Sequence, residues 1–244
     1  MKGIILAGGR ATRLGQLTLG ISKQLLSVYK TPMIYFPLKT LIDMGIEDIL
    51  IIVASELQLT LFKLYLEDGS KFGVNIHYEI QGQPNGLAEA FILGEKFIGK
   101  DDVTLILGDN ILLNGGKLSP TPNSIYTYTV KDPSAYGVAE LHDDGTLTSI
   151  VEKPKTFISD QAVIGLYVFD NSCVELAKKV KPSARGELEI VDLIKLIHEE
   201  SGVTVRPFSG VWFDCGTFDD LLECGEFVRA LDKRTTSDIF LSRI

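Results

Sequence analysis

Gly8-Gly9-Arg10-Ala11-Thr12-Arg13 directly follows the apolar run Gly3-Ile4-Ile5-Leu6-Ala7. Two glycines let the backbone turn tightly and bring N–H groups close to a ligand, and two arginines supply charge for phosphate oxygens. The stretch is neither G-x-G-x-x-G nor a Gly-Lys-Ser/Thr loop, which excludes a dinucleotide fingerprint and a P-loop. Ser22-Lys23-Gln24 offers a further cation, although most lysines are simply solvated. Two other apolar runs end in a carboxylate: Leu105-Ile106-Leu107-Gly108-Asp109-Asn110 and Val211-Trp212-Phe213-Asp214-Cys215-Gly216. Aspartates at strand ends are hard oxygen donors that suit Mg²⁺ shared with substrate phosphates. The alternative for Asp109 is to cap a turn, and for Asp214 to cap the helix expected from Phe218. Weaker signals lie between: Gln81 with Pro84-Asn85-Gly86, Tyr136-Gly137, Glu152-Lys153, Val163 and Arg185. Each could equally be a turn, a surface ion pair or a helix-start charge. No nucleophile–base set appears. Cys173, Cys215 and Cys224 have no histidine in sequence company, and His77, His142 and His198 lack metal-ligand spacing.

Placing these residues requires a scaffold of strands ending at a common edge, and the patterning supplies one. Strands are expected over 3–7, 48–53, 75–80, 103–107, 124–130, 137–141, 147–151, 163–169 and 203–207. Helices are expected over 32–44, 57–66, 87–97, 172–179, 188–200 and 218–231, the first starting late or kinking because Pro37 lies inside it. Gly45 reads as a left-handed cap, and Asp170-Asn171 as N-cap candidates. The first half alternates strand and helix, the order of a doubly wound, Rossmann-like α/β fold with a mostly parallel mixed sheet. From about residue 124 to 169 the strands crowd together with tight turns such as Asp143-Asp144-Gly145. That spacing implies a small antiparallel lobe. No linker, repeat or low-complexity tract divides the chain, so residues 1–244 read as one domain.

Composition narrows the partners. A net charge of −8 argues against a nucleic-acid polymer as partner, yet leaves room for a small phosphorylated ligand held by local cations. Three cysteines without a CxxC pair suggest a reduced compartment. No apolar run of membrane length and no apolar leader is visible, so a soluble cytoplasmic protein is expected.

Taken in order, these segments resemble the glucose-1-phosphate thymidylyltransferases within the wider sugar-nucleotidyltransferase family. The likeness runs from Met1-Lys2-Gly3-Ile4-Ile5-Leu6-Ala7-Gly8-Gly9 through Ser22-Lys23-Gln24-Leu25-Leu26, Pro32-Met33-Ile34-Tyr35 and Gly86-Leu87-Ala88 to Asp214-Cys215-Gly216-Thr217. Its most specific stretch is Lys181-Pro182-Ser183-Ala184-Arg185-Gly186-Glu187-Leu188-Glu189-Ile190. The resemblance implies a nucleotide-binding part over about 1–110 and a sugar-binding part over about 111–244. It implies that Gly8, Gly9, Ala11, Thr12 and Arg13 form a triphosphate loop with Lys23 and Gln24 beside it, and that Gln81 and Gly86 read the base. Asn110 would lie next to the nucleotide sugar. Tyr136, Gly137, Glu152, Lys153, Val163 and Arg185 would form the sugar-phosphate pocket. Asp109 and Asp214 would hold Mg²⁺, and Arg13, Lys23 and Lys153 would act as the catalytic cations. The implied substrates are dTTP and glucose 1-phosphate, with self-assembly left open. UTP, another sugar phosphate, or a weakly active regulatory relative are the competing readings. The chain departs from the family pattern at Ala11, Gly15-Gln16, Ser27, Thr31 and Ile164, in a shorter 110–136 segment and in stopping at Ile244. Ile164 replaces a usual Thr beside the sugar pocket, which would remove a polar contact.

Overall fold

A computed structural model describes residues 1–9 and 12–234, the side chains of Thr12 and Arg234 excepted. The strands are β1 (Lys2–Ala7), β2 (Ser27–Val28), β3 (Thr31–Pro32), β4 (Asp48–Val53), β5 (Asn75–Ile80), β6 (Val103–Leu107) and β7 (Asn110–Leu113). They continue with β8 (Ser124–Thr129), β9 (Gly137–Leu141), β10 (Leu147–Glu152), β11 (Gln161–Phe169), β12 (Thr204–Pro207) and β13 (Val211–Asp214). The helices are α1 (Tyr35–Asp43), α2 (Glu56–Leu66), α3 (Glu89–Leu93), α4 (Glu95–Ile98), α5 (Cys173–Ala177), α6 (Ile190–Ser201) and α7 (Phe218–Arg234).

Nine strands form one mixed sheet along the path β10-β9-β11-β6-β1-β4-β5, with β8 joined to β11 and β12 to β8. The run β6-β1-β4-β5 is parallel. Beyond β6 the pairing turns antiparallel, through β11 to β8 and β9. The sheet thus passes without interruption across the expected division near residue 110. Alternate residues of β1 serve opposite faces: Ile4 and Leu6 join one core, Ile5 and Ala7 the other. Both faces are covered by helices, so the central strands read as continuous apolar runs. α6 shows the matching helical logic, burying Ile190, Val191, Ile194 and Ile197 at helical spacing.

Several details differ from the sequence reading. α1 begins at Tyr35, because Thr31-Pro32 pairs with Ser27-Val28 in a short hairpin. The helix expected over 87–97 is broken at Gly94, where a Cβ would lie 2.9 Å from Ile4 Cδ1. Gly45 is left-handed (φ 79°), as expected. Asp170 accepts the Ser172 N–H at 2.9 Å, capping α5 from just outside it. The Asp144-Gly145 turn is held by Asp144 Oδ1, which accepts the Thr146 N–H at 2.9 Å. β7 and β13, absent from the expected strands, pair antiparallel into a separate two-stranded sheet. Ile164 is fully buried in the core that holds Ile5 and Leu166, on the face of β11 opposite to Val163 and Gly165. It therefore removes no polar contact from the pocket, contrary to expectation.

Candidate active site

The chain runs from β1 outward to β4 and β5, then returns to place β6 on the other side of β1. Where the order reverses, the loops leaving two adjacent parallel strands part and open a crevice at their carboxyl ends. The loops after β1 and β6 form its walls: Gly8-Gly9 on one side and Gly108-Asp109 on the other, stitched by the Gly108 N–H donating to Leu6 O at 2.9 Å. A Cβ on Gly108 would press on Gln24 Cγ at 2.9 Å, so glycine there lets Gln24 close the floor.

Two adjoining chambers occupy the crevice. The first, about 390 Å³, is lined by Gly9, Lys23, Gln24, Gln81, Gly86 and Asp109, among others. The second, about 200 Å³, includes Arg13, Asn110, Tyr136, Gly137, Glu152, Lys153, Val163 and Asp214 in its walls. Leu87, Leu107 and Asp109 line both, so Asp109 stands at the junction.

β7 and β13 carry the second carboxylate to the first. Asp214 is in register with Asn110, and the Cys215 N–H donates to Asp109 O at 3.0 Å. Asp214 does not cap the following helix: Thr217 N–H donates to Asp220 Oδ2 at 3.1 Å, and Asp220 N–H to Thr217 Oγ1 at 3.2 Å. This reciprocal pair starts α7 by itself. Lys23, expected from its residue type alone to be solvated, is only 8% exposed and donates to Asp109 Oδ2. Burial would raise the Asp109 carboxyl, but the charge and hydrogen bond of Lys23 hold it below the usual carboxylate range. Asp214 has no such partner among the described residues. Burial first, then the charge of Asp109, pushes it up to about 7, against the weaker pull of Lys23 and Arg13. Among the described residues no group of three or more His, Cys, Asp or Glu gathers as a metal site. The two carboxylates, hard oxygens that repel one another, are the residues that could hold a divalent cation together with phosphate oxygens.

Other expected residues find partners that sequence could not show. Arg13 lies over Gly216, where a Cβ would be 2.5 Å from its Nη2. Lys153 has left-handed backbone (φ 44°), uncommon for a lysine, and its Nζ is 3.6 Å from Glu152 Oε1. Asn110 is buried, and its Oδ1 accepts from Gly165 N–H at 2.9 Å and Trp212 Nε1 at 2.7 Å. Its side chain thus ties β11 to β13. Arg185, expected in the sugar-phosphate pocket, is not in the lining of either chamber. It forks onto Glu189 at 3.1 and 2.8 Å and reaches Glu152 at 3.0 Å. Burial raises Glu152 despite Lys153 and Arg185 beside it. Gly86 has φ 113°, and any Cβ would fall on the Leu188 backbone, while Leu188 N–H donates to Asn85 O at 2.6 Å. Ala11 lies outside the described residues, as does the side chain of Thr12. Cys215 is buried against Cys224, whose hydrogen bond pushes its thiol up, which suits a structural thiol.

Trp212, Tyr167 and Gly165 also line the second chamber, and Glu187 the first. All four lie within motifs or strands named above, but the sequence reading assigns none of them a role in the site. Trp212 packs edge-on to Tyr136 with ring centres 5.2 Å apart. Its type and burial were the available signal.

Comparison with known proteins agrees with this geometry. The sequence model of the nucleotidyl transferase family matches residues 2–230. The chain is 48% identical to a glucose-1-phosphate thymidylyltransferase of Neisseria meningitidis, over 95% of this chain and 83% of the relative. It is 47% identical to that of Mycolicibacterium smegmatis, over 96% and 84%. A crystallised candidate glucose-1-phosphate thymidylyltransferase from Bacillus anthracis superposes with a TM-score of 0.87 at 36% identity, covering 94% of this chain and 95% of the other. A UDP-glucose pyrophosphorylase shares the fold at a TM-score of 0.84 and 22% identity. With no helix long and apolar enough to cross a membrane among the described residues, and with its crevice at the switch between β1 and β6, the chain belongs to the nucleotidyl transferase family.

Proposed function

We propose that the protein transfers a thymidylyl group from dTTP to α-D-glucose 1-phosphate, releasing pyrophosphate and dTDP-glucose. The observation that carries this reading is the pair of chambers joined at Asp109, one lined by Gln81 and Gly86, the other by Tyr136, Glu152 and Lys153. A nucleotide in the first and a sugar phosphate in the second would bring their phosphates together at the junction.

The attacking group is a phosphate oxygen of glucose 1-phosphate, whose second pKa near ~6 leaves it ionised at neutral pH without a general base. It forms a bond to the α-phosphorus in line with the departing pyrophosphate, and the α–β bridging P–O bond breaks. The difficulty is bringing two anions together, so the task is positioning and charge neutralisation. Lys153 meets the incoming phosphate, Lys23 the α-phosphoryl group beside Asp109, and Arg13, in the wall of the second chamber, adds positive charge on that side of the junction. Asp109 and Asp214 would hold Mg²⁺, which would supply further neutralisation of phosphate charge. Gln81 and the Gly86 backbone read the base.

Pyrophosphate release with glucose 1-phosphate, magnesium and each nucleoside triphosphate tests the reading. dTTP should be the best substrate, UTP slower by roughly 10–200-fold for its missing methyl, and CTP nearly inert. Equal kcat/KM for dTTP and CTP would reject the base assignment.

A further inference from the structure

A glutamine reads a base correctly only if its amide faces the right way round, and the oxygen and nitrogen ends are nearly the same shape. In this crevice Gln81 Nε2 donates to Glu89 Oε2 at 2.7 Å. The other carboxylate oxygen, Glu89 Oε1, accepts from Asn85 Nδ2 at 2.8 Å, and the Asn85 backbone N–H approaches Glu89 Oε2 at 3.4 Å. A carboxylate only accepts, so it can hold only the NH₂ end of Gln81. The oxygen end is thereby turned towards Gly8, where a Cβ would collide with it. Gln81 and Gly9, the residue after Gly8, both line the first chamber.

We infer that Glu89 is a specificity-determining positioning residue, fixing Gln81 so that the chamber presents an acceptor to a ring N–H. This deepens the proposed function and rests on its assignment of Gln81 to the base. An acceptor in that place suits N3–H of thymine or uracil. The N3 of cytosine carries a lone pair, which would face the Gln81 oxygen and leave both groups without a donor. Gln81 keeps its second Nε2 hydrogen for a ring carbonyl, so one orientation serves both ends of the pyrimidine edge. Asn85 completes the device by tying the far carboxylate oxygen, which stops Glu89 from swinging away.

Glu89→Gln keeps the shape but lets the neighbour offer either a donor or an acceptor, freeing Gln81 to flip. The measurement is kcat/KM for dTTP against dCTP in the wild type, Glu89→Gln, Gln81→Ala and the double variant. Starting from a discrimination of about 10⁴, Glu89→Gln should reduce the ratio at least tenfold, with the KM for glucose 1-phosphate and the thermal midpoint unchanged. In the Gln81→Ala background the Glu89 change should have no further effect on the ratio. A wild-type ratio in Glu89→Gln, with Gln81→Ala relaxed, overturns the orienting role alone. A wild-type ratio in Gln81→Ala overturns the base assignment beneath it. Additive effects in the double variant would place Glu89 directly on the nucleotide and likewise overturn positioning. Should Glu89→Gln fail to fold, Asn85→Ala, which loosens the same carboxylate, must lower the ratio for the proposal to stand.

Discussion

Asp109 and Asp214 share one crevice but keep different electrostatic company, and their variants should part accordingly. Asp109 neutralises Lys23, so Asp109→Asn leaves an enclosed ammonium without its counter-charge. Breaking such a pair costs roughly 3 kcal/mol. Asp214 is pushed up by burial and by Asp109. In the unfolded chain it would ionise near pH ~4. The folded state therefore loses stability as pH rises from there to about 7, and above that the full penalty is present. Asp214→Asn should therefore be more stable than the wild type at pH 8 while losing turnover by ~10²–10³. Denaturant unfolding beside pyrophosphate-release assays would check both, and equal stability changes in the two variants would contradict the asymmetry. The two aspartates were legible in sequence because each follows an apolar run at a strand end, a local signal, whereas Gln81 follows the alternating strand Asn75–Ile80 and is marked only by the family resemblance. Glu89 and Trp212 were not legible. Glu89 acts through Gln81 across a turn, and Trp212 through Asn110 at a separation of 102 residues, with no pattern marking either contact.

Among the elements, the long strands and amphipathic helices were legible because burial imposes period-2 and period-3.6 patterns. The two-residue strands Ser27–Val28 and Thr31–Pro32 are too short to show any period. β7 and β13 are four residues each and find one another only through the tertiary fold. The break at Gly94 reflects crowding against Ile4, a contact invisible along the helix itself. The loop around Gly86, in the lining of the first chamber, is held by its link to Leu188, and it tolerates neither a Cβ nor a change of hand. Gly86→Ala should therefore cost on the order of 1–3 kcal/mol and raise the KM for dTTP more than that for glucose 1-phosphate. A thermal midpoint and KM values matching the wild type would show that the loop yields without consequence.

At the scale of the whole molecule, the alternation of the first half and the crowded strands of the second were both visible in the sequence. Their union in one sheet was not, since it depends on β11 pairing with β6, some sixty residues earlier. Because that sheet and its two cores span both halves, thermal unfolding should be a single transition, coincident in near- and far-ultraviolet circular dichroism. Two separated transitions would mark independent units. β11 also has a second effect. Leu166–Phe169 cover the flank of β6 opposite to β1, which would otherwise offer the row Val103–Leu107 with unpaired amides to any extended chain. A ribosome that has released only the first 110 residues has therefore made a sticky, unfinished edge. The nascent protein stays vulnerable to wrong partners until Phe169 has emerged, which makes the strands of the second half its protection against wrong pairing during synthesis.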